Sequence, residues 1–507
     1  MMRGGGCREL VSLNRRARKV LLLRWCLLGA LFVGPLGADP GKTPFLAEAL
    51  PEQQGVAFVR AIRGLERAAR RVGVHVVELA SGQELVSYAA AERFSLASNT
   101  KLFTTAAALL ELGPEFEHET VLLQRGRVVD GVLEGDLGVW GAADPNLSGR
   151  FYEGDSLGAF RPWAQALVRE GIRVVAGDLW LFNGIFEGPR IHPEWPPDQY
   201  PTWYEAPIDA LSFNDNCVLV RVRPGRNPGD RARVSLEPRL DHFAVRNSAK
   251  TVPGAGQQLT VTRERDSDTV VVTGTVGQQG GGLDVWVAVF DPARFFGEAV
   301  RLALKQEGVR LQGQIRMGHI ESWEGWSRVA AHRSPLTRTL EVTNKRSQNF
   351  YAEMLTKLLG YRKHGVGSWE TGIESIVNIL NSLGISLAEV ELRDGSGLSR
   401  GNQSTPRAVT ALLAAMYRHP YGARYLQSLP ASGEKGLRWE RRLATPPYRG
   451  NVLAKTGTLR GISTLSGFAR ARSGKVYAFS LLLNDVVSPG RAVQAQDELL
   501  RTLIDRG

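Results

Sequence analysis

The chain has 507 residues, 43% of them hydrophobic and 22% charged, with a formal net charge of +12. That length exceeds one ordinary core and points to two or three domains, and the apolar-to-charged balance excludes a disordered chain. No basic run is interleaved with aromatic residues, so nucleic-acid binding is not supported.

Arg15, Arg16, Arg18 and Lys19 precede an apolar run from Leu27 to Ala38 that ends in Gly37 and Ala38. A basic cluster, a short apolar stretch and a small-residue exit make residues 1–38 a secretory signal, too short to span a bilayer comfortably. The expected location is therefore extracytoplasmic, in the periplasm or cell envelope, with the leader either cleaved or kept as an anchor. Seven basic residues and one acid lie in it, so its removal lowers the net charge by six, to +6. A mild bias of that size suits a solvated face, and would also favour anionic envelope polymers. Cys7 and Cys26 lie in the leader. Cys217 alone remains, which excludes an intrachain disulfide and reads as a small buried hydrophobe.

In chain order, apolar residues recur at helical spacing from Phe45 to Arg71. "VHVVELASGQELVSYAA" then reads as a hairpin turning at Ser81-Gly82, and "SNTKLFTTAAALLELG" as a helix stopping at Gly113. From about residue 120 to 325 the chain changes character. It is rich in Gly, Pro and Trp, with short strands such as "DLWLF", "CVLVRVR" and "DTVVVTGTV" and one helix, "ARFFGEAVRLALKQEG". Residues 120–325 are thus expected to be a β-rich insertion, with 120–217 and 283–325 as one lobe and 218–282 as an inner lobe. Residues 39–119 and 326–507 form the two parts of a catalytic domain. Leu336–Gly360 and Thr371–Leu383 read as helices of an all-α lobe. "NVLAKTGTL", "STLSGFARAR" and "VYAFSLLLND" read as three strands, and Arg491–Ile504 as a closing amphipathic helix. The expected fold is α+β, with a five-stranded antiparallel sheet built from both chain ends.

Three short motifs occur in order: Ser98-Asn99-Thr100-Lys101, Ser347-Gln348-Asn349 and Lys455-Thr456-Gly457-Thr458. They match S-x-x-K, S-x-N and K-T-G. Singly they are weak, since average composition yields roughly two S-x-x-K and about one S-x-N by chance. Decoys exist at Ser432–Lys435 and Ser212–Asn214. Ser98 and Lys101 stand one turn apart at the start of a strong helix, where the amine can reach the hydroxyl and the helix N-terminus favours developing negative charge. Ser432 lies among turn residues that hold no such register. Ser347 falls between two helical runs, and the Lys455 segment is a strand whose edge can pair with an extended peptide.

With these motifs, "LEGDLGVWGAADPNL", "ALSFNDNCV", "NKRSQNFYAEMLTKLLG", "RDGSGLSRGNQSTPRAV" and "LPASGEKGLRWE", nearly the whole mature chain resembles the penicillin-binding D-alanyl-D-alanine carboxypeptidases of the S13 peptidase type. It departs from that pattern at Ala142-Ala143, where two glycines are usual, and at Gln348, where Asp, Gly or Asn is common. The resemblance implies a serine β-lactamase/transpeptidase-like domain that trims peptidoglycan stem peptides and is acylated by β-lactams. DD-endopeptidase action on cross-links is left as an open alternative. It implies Ser98 as nucleophile, Lys101 as its base with a pKa lowered by the neighbouring Lys455, and Ser347 as proton relay. Asn349, Lys455, Thr456, Gly457 and Thr458 would hold the substrate, and the amides of Ser98 and Thr458 would form the oxyanion hole. No metal or cofactor is expected, because the eight histidines include no H-E-x-x-H pair.

Three rival readings fit the sequence less well. Gly397–Gly401 matches the G-x-S-x-G elbow of lipases, but no acid lies between Ser399 and the following histidine, His419, so the triad fails. Glu389–Leu392 faintly resembles the deacylating loop of class A β-lactamases, but Arg393 stands where asparagine is expected. A binding scaffold without turnover conflicts with intact Ser98, Lys101, Ser347 and Lys455.

Overall fold

The computed structural model describes residues 45–46, 52–320 and 322–507. The leader, with Cys7 and Cys26, lies outside the described residues.

The main sheet draws strands from both ends of the chain. Its order is Phe45–Leu46, Glu84–Tyr88, Ala69–Glu78, Val476–Val486, Ile462–Arg470, Val452–Leu459. All neighbours are antiparallel. In the central strand, Ala478 and Leu482 enter one core, while Tyr477, Phe479, Leu481 and Leu483 enter the other. This period of two lets a continuous apolar run feed both faces. Helices Glu52–Glu66 and Pro489–Arg506 cover one face, and Thr100–Leu112 and Pro406–Arg418 belong to the core on the other. Helices Leu336–Lys345, Asn349–His364 and Trp369–Ser382 stand beside Thr100–Leu112.

The helix expected over Phe45–Arg71 is shorter, Glu52–Glu66. Its C-terminal portion is already strand from Ala69, because Val72, Val74 and Val76 alternate into the sheet core. Phe45–Leu46 pairs with Ser87 and Val86, which makes the sheet six-stranded rather than five-stranded.

Between the two halves, Glu117–Val129 pairs with both Val132–Trp140 and Ser327–Pro335, so one sheet bridges positions 120 and 325. Its core is shared with helix Pro292–Gln306 and with a second helix, Arg161–Arg169, which the sequence reading missed. Cys217–Arg223 is sandwiched between Arg233–Glu237 and Leu283–Ala288, and a separate sheet spans Ala244 to Gly277. Cys217 is buried, and burial pushes its thiol pKa up.

Candidate active site

Ser98 lies in a single 3-10 turn, Ala97–Asn99, that runs into helix Thr100–Leu112. Ala97, immediately before it, has φ +45, a conformation that a residue with a Cβ adopts only under strain. The surroundings hold the turn in place. Thr464 Oγ1 donates to the Leu96 carbonyl at 2.8 Å, and Asn99 Nδ2 donates to the Lys455 carbonyl at 2.9 Å. Gly457 lets the strand approach, since a Cβ there would stand 2.8 Å from the Leu96 carbonyl and 2.9 Å from the Ser98 amide nitrogen.

Lys101 is fully buried, and its Nζ has three neighbours: Ser98 Oγ at 3.0 Å, Asn349 Oδ1 at 2.7 Å and the Ser396 carbonyl at 2.7 Å. The orientation of the Asn349 amide follows from its other end, because Nδ2 donates to the Tyr204 carbonyl at 3.0 Å. A carbonyl can only accept, so the oxygen of Asn349 must face Lys101. Two of the three neighbours of Nζ are therefore obligate acceptors. A neutral amine, with two N–H groups and one lone pair, satisfies both and leaves its lone pair for the Ser98 hydroxyl. Burial lowers the Lys101 pKa from the ordinary lysine value, against the carboxylates of Glu353 and Asp394, which raise it. The expected cause, repulsion from Lys455, does not produce this lowering; desolvation does. That repulsion acts visibly in the other direction: Lys455 is held well below the usual lysine range first by its own burial, then by Lys101 and Arg438.

Lys455 Nζ donates to Ser347 Oγ at 2.8 Å and to the Thr456 carbonyl at 2.7 Å. Ser347 also has a positive φ, +57, and the next residue anchors it. Gln348 Nε2 donates to Asp215 Oδ2 at 2.7 Å, and Arg150 pairs with the same oxygen at 2.5 Å. Ser98, Ser347, Asn349 and Thr458 line one cleft of about 740 Å³, together with Tyr204, Trp203 and the exposed Arg346 and Arg438. Lys455 and Thr456 line a hollow of about 170 Å³ that also takes in Ser347, Arg346 and Arg438. Strand Val452–Leu459 is the edge of its sheet.

Several participants went unnoticed in the sequence. Glu353 sits one turn beyond Asn349 on the same helix, buried, accepting from the Gly395 and Ser396 amides at 2.9 and 2.8 Å and from Trp369 Nε1 at 2.8 Å. Burial raises its pKa, with Asp394 adding to the effect, while its N–H donors oppose it. The i, i+4 spacing from Asn349 was its available signal. Asp394 fastens the following turn by accepting from the amides of Gly397 and Ser399 at 2.6 and 2.7 Å. The Gly397–Gly401 segment is thereby a cleft wall that presents the Ser396 carbonyl to Lys101.

The decoy motifs have other partners. Ser432 is buried and donates to the Tyr448 carbonyl at 2.7 Å, while Lys435 is exposed. Ser212 donates to the Asp209 carbonyl at 2.6 Å. Glu391 is engaged by Arg93 and Arg393 at 3.2 and 2.5 Å, at a short sheet beside the cleft wall. Among the described residues no cluster of His, Cys, Asp and Glu could hold a metal ion, and no helix is long and apolar enough to cross a membrane.

Comparison with known proteins shows the family and the fold. A D-alanyl-D-alanine carboxypeptidase of Actinomadura sp. is 32% identical over 474 residues, covering 90% of this chain and 85% of the relative. The D-alanyl-D-alanine carboxypeptidase DacB of Haemophilus influenzae is 27% identical over 82% of this chain and 85% of its own length. The crystal structure of penicillin binding protein 4 (dacB) from Haemophilus influenzae shares the fold, with a TM-score of 0.77 at 23% identity over 88% of this chain and 99% of that one. The model of the D-Ala-D-Ala carboxypeptidase 3 (S13) family matches residues 62–503, and the chain belongs to that family.

Proposed function

We propose that this hydrolase is exported and cleaves the terminal D-Ala–D-Ala bond of peptidoglycan stem peptides through an acyl-enzyme on Ser98. The observation that carries the reading is the coordination of Lys101 Nζ, whose two obligate acceptors leave a lone pair for the Ser98 hydroxyl. In the first step Ser98 Oγ attacks the penultimate carbonyl carbon while its proton passes to Lys101. The amides of Ser98 and Thr458 receive the oxyanion. As the C–N bond breaks, the Ser347 hydroxyl, hydrogen-bonded to Lys455, gives its proton to the departing amine, and the proton taken up by Lys101 returns to the Ser347–Lys455 pair, leaving Lys101 neutral. Water then attacks the ester carbonyl, Lys101 takes the water's proton, and that proton passes to Ser98 Oγ as the ester C–O bond breaks.

Asn349 supports the substrate amide, and Lys455, Thr456, Gly457 and Thr458 bind the terminal residue along the strand edge. Arg346 and Arg438 add positive potential for its carboxylate. β-Lactams enter by the same attack, but their leaving group stays tethered and blocks water, so the penicilloyl ester is long-lived. In cross-linked peptidoglycan the leaving amine belongs to a second stem peptide, which gives DD-endopeptidase action. The basic leader directs the chain across the membrane, and residues 120–325 act as an insertion carried on the catalytic domain.

Purified protein incubated with monomeric pentapeptide and with cross-linked muropeptides, the products weighed by mass spectrometry, tests this. Release of D-alanine is expected from the first and conversion of dimer to monomers from the second. Intact substrates beside rapid multiple turnover of penicillin would place the chain with the β-lactamases instead.

A further inference from the structure

A second cavity, of about 520 Å³, lies behind the Ser347–Asn349 loop. It meets the catalytic cleft at Trp203, which lines both. Trp203 and Trp286 expose 37% and 44% of their surfaces, which is unusual for so large an apolar side chain. Its charges are largely cancelled. Arg150 pairs with Asp215 at 2.5 Å and Arg221 with Glu237 at 2.8 Å, and Glu153 stands exposed at the margin.

Two lining side chains, Asp215 and Gln348, are each only 7% exposed. Asp215 Oδ1 and Gln348 Oε1 are buried without a hydrogen-bond partner. An unsatisfied buried acceptor costs about 1–3 kcal/mol, so a donor that reaches either oxygen through a small shift of the cavity wall is favoured. Asp215 is also the central member of three consecutive residues at positive φ, Asn214 to Asn216, a strained turn held by the surrounding packing.

A ligand that fits must be neutral overall, rich in O–H and N–H donors, and flat and apolar on one face to lie against an indole. The paired charges argue against a free ammonium or carboxylate group of a stem peptide. Pyranose rings bearing hydroxyl and acetamido groups meet every requirement, and the volume falls in the range of small-ligand sites. We propose that this cavity is a binding site for an acetamido sugar of the glycan strand, holding the polymer while one of its stem peptides occupies the cleft. The proposal rests on the peptidoglycan reading above.

Triacetylchitotriose, a neutral acetamido-sugar oligomer, is the probe. Calorimetric titration of the mature protein is expected to show saturable binding, weakened at least tenfold by Trp286→Ala. Acylation by benzylpenicillin should continue in that variant, as the control for folding and for the cleft. Should Trp286→Ala lose acylation as well, Glu237→Gln on the same wall replaces it. In turnover, the KM for a stem peptide still attached to its disaccharide should rise severalfold in the variant, while that for the sugar-free peptide stays put. Absence of saturable binding, equal binding by both proteins, or displacement of the sugar by a sugar-free stem peptide would each overturn the proposal. Failure of the wild type to be acylated by penicillin would instead sink the catalytic reading, whatever the sugar does.

Discussion

The cleft and the lobe between Cys217 and Ala288 both bury a basic side chain, and they use different residues to do it. In the lobe, Arg263 is 5% exposed and gives its donors to the carbonyls of Ala288, Glu264, Arg265 and Ser267 at 2.6–2.9 Å. Valines at positions 218, 220, 222, 270, 272, 276 and 287 form much of the core around it. In the cleft, Lys101 and Lys455 are both buried, burial lowers the pKa of each, and Lys455 has two hydrogen-bond acceptors for the three N–H groups of an ammonium. Arginine cannot give up its proton under these conditions, so burying it makes a fixed fastener. Lysine can, so burying it makes a base.

Exchanging the two chemistries breaks the comparison most severely in the cleft. Lys101→Arg keeps the charge and removes the base, and acylation by benzylpenicillin should fall by about 10²- to 10⁴-fold, measured by quenched-flow mass spectrometry. A loss under tenfold would mean that Lys101 is not the proton acceptor.

The reverse exchange is milder. Arg263→Lys strips carbonyl partners from the lobe and should cost about 1–3 kcal/mol in denaturant unfolding, with the acylation rate of the folded protein unchanged. A parallel loss of acylation would show that the lobe shapes the cleft.

A finer test moves the lysine without replacing it. The neutral amine is the reactive form, so acylation should rise with pH through the Lys101 pKa, which burial places below the ordinary value of 10.5. The Glu353 carboxylate raises that pKa, so Glu353→Gln should move the inflection to lower pH. Movement to higher pH would contradict the assignment.

The smallest effect belongs to Ala143, which sits at φ +57 where the family pattern has glycine. Its strain is about 1–2 kcal/mol. Glycine would relieve this but lose a buried methyl group, about 0.8 kcal/mol, and gain unfolded-state entropy of about 0.4–1 kcal/mol. Ala143→Gly should therefore change unfolding stability by less than about 1 kcal/mol. A loss beyond about 2 kcal/mol would show that the methyl group matters more than the strain.

The cleft was legible where chemistry travels with local spacing. S-x-x-K on a helix and K-T-G on a strand each name a side chain and its orientation in a few residues, and the fold brings those segments to one place. The carbonyls of Tyr204 and Ser396 were invisible, because every residue has a carbonyl and only tertiary structure aims it. The Gln348–Asp215–Arg150 chain joins residues up to 198 positions apart in sequence, beyond any periodicity. Among the elements, the two-residue strand Phe45–Leu46 is too short to show alternation. Helix Arg161–Arg169 is nine residues long with Pro162 in its first turn, yet its buried stripe of Trp163, Ala164, Ala166 and Leu167 was there to be read. The main sheet's central strands read correctly because their apolar runs fill two cores at once.

The central claim is that Ser98, beside a neutral Lys101, is the group that becomes acylated. Peptide mapping by mass spectrometry after a brief exposure to benzylpenicillin tests it most directly. A single penicilloyl adduct, on the peptide carrying Ser98 and absent from Ser98→Ala, is the predicted result. An adduct on Ser432 or Ser399, or one that persists in Ser98→Ala, would contradict it.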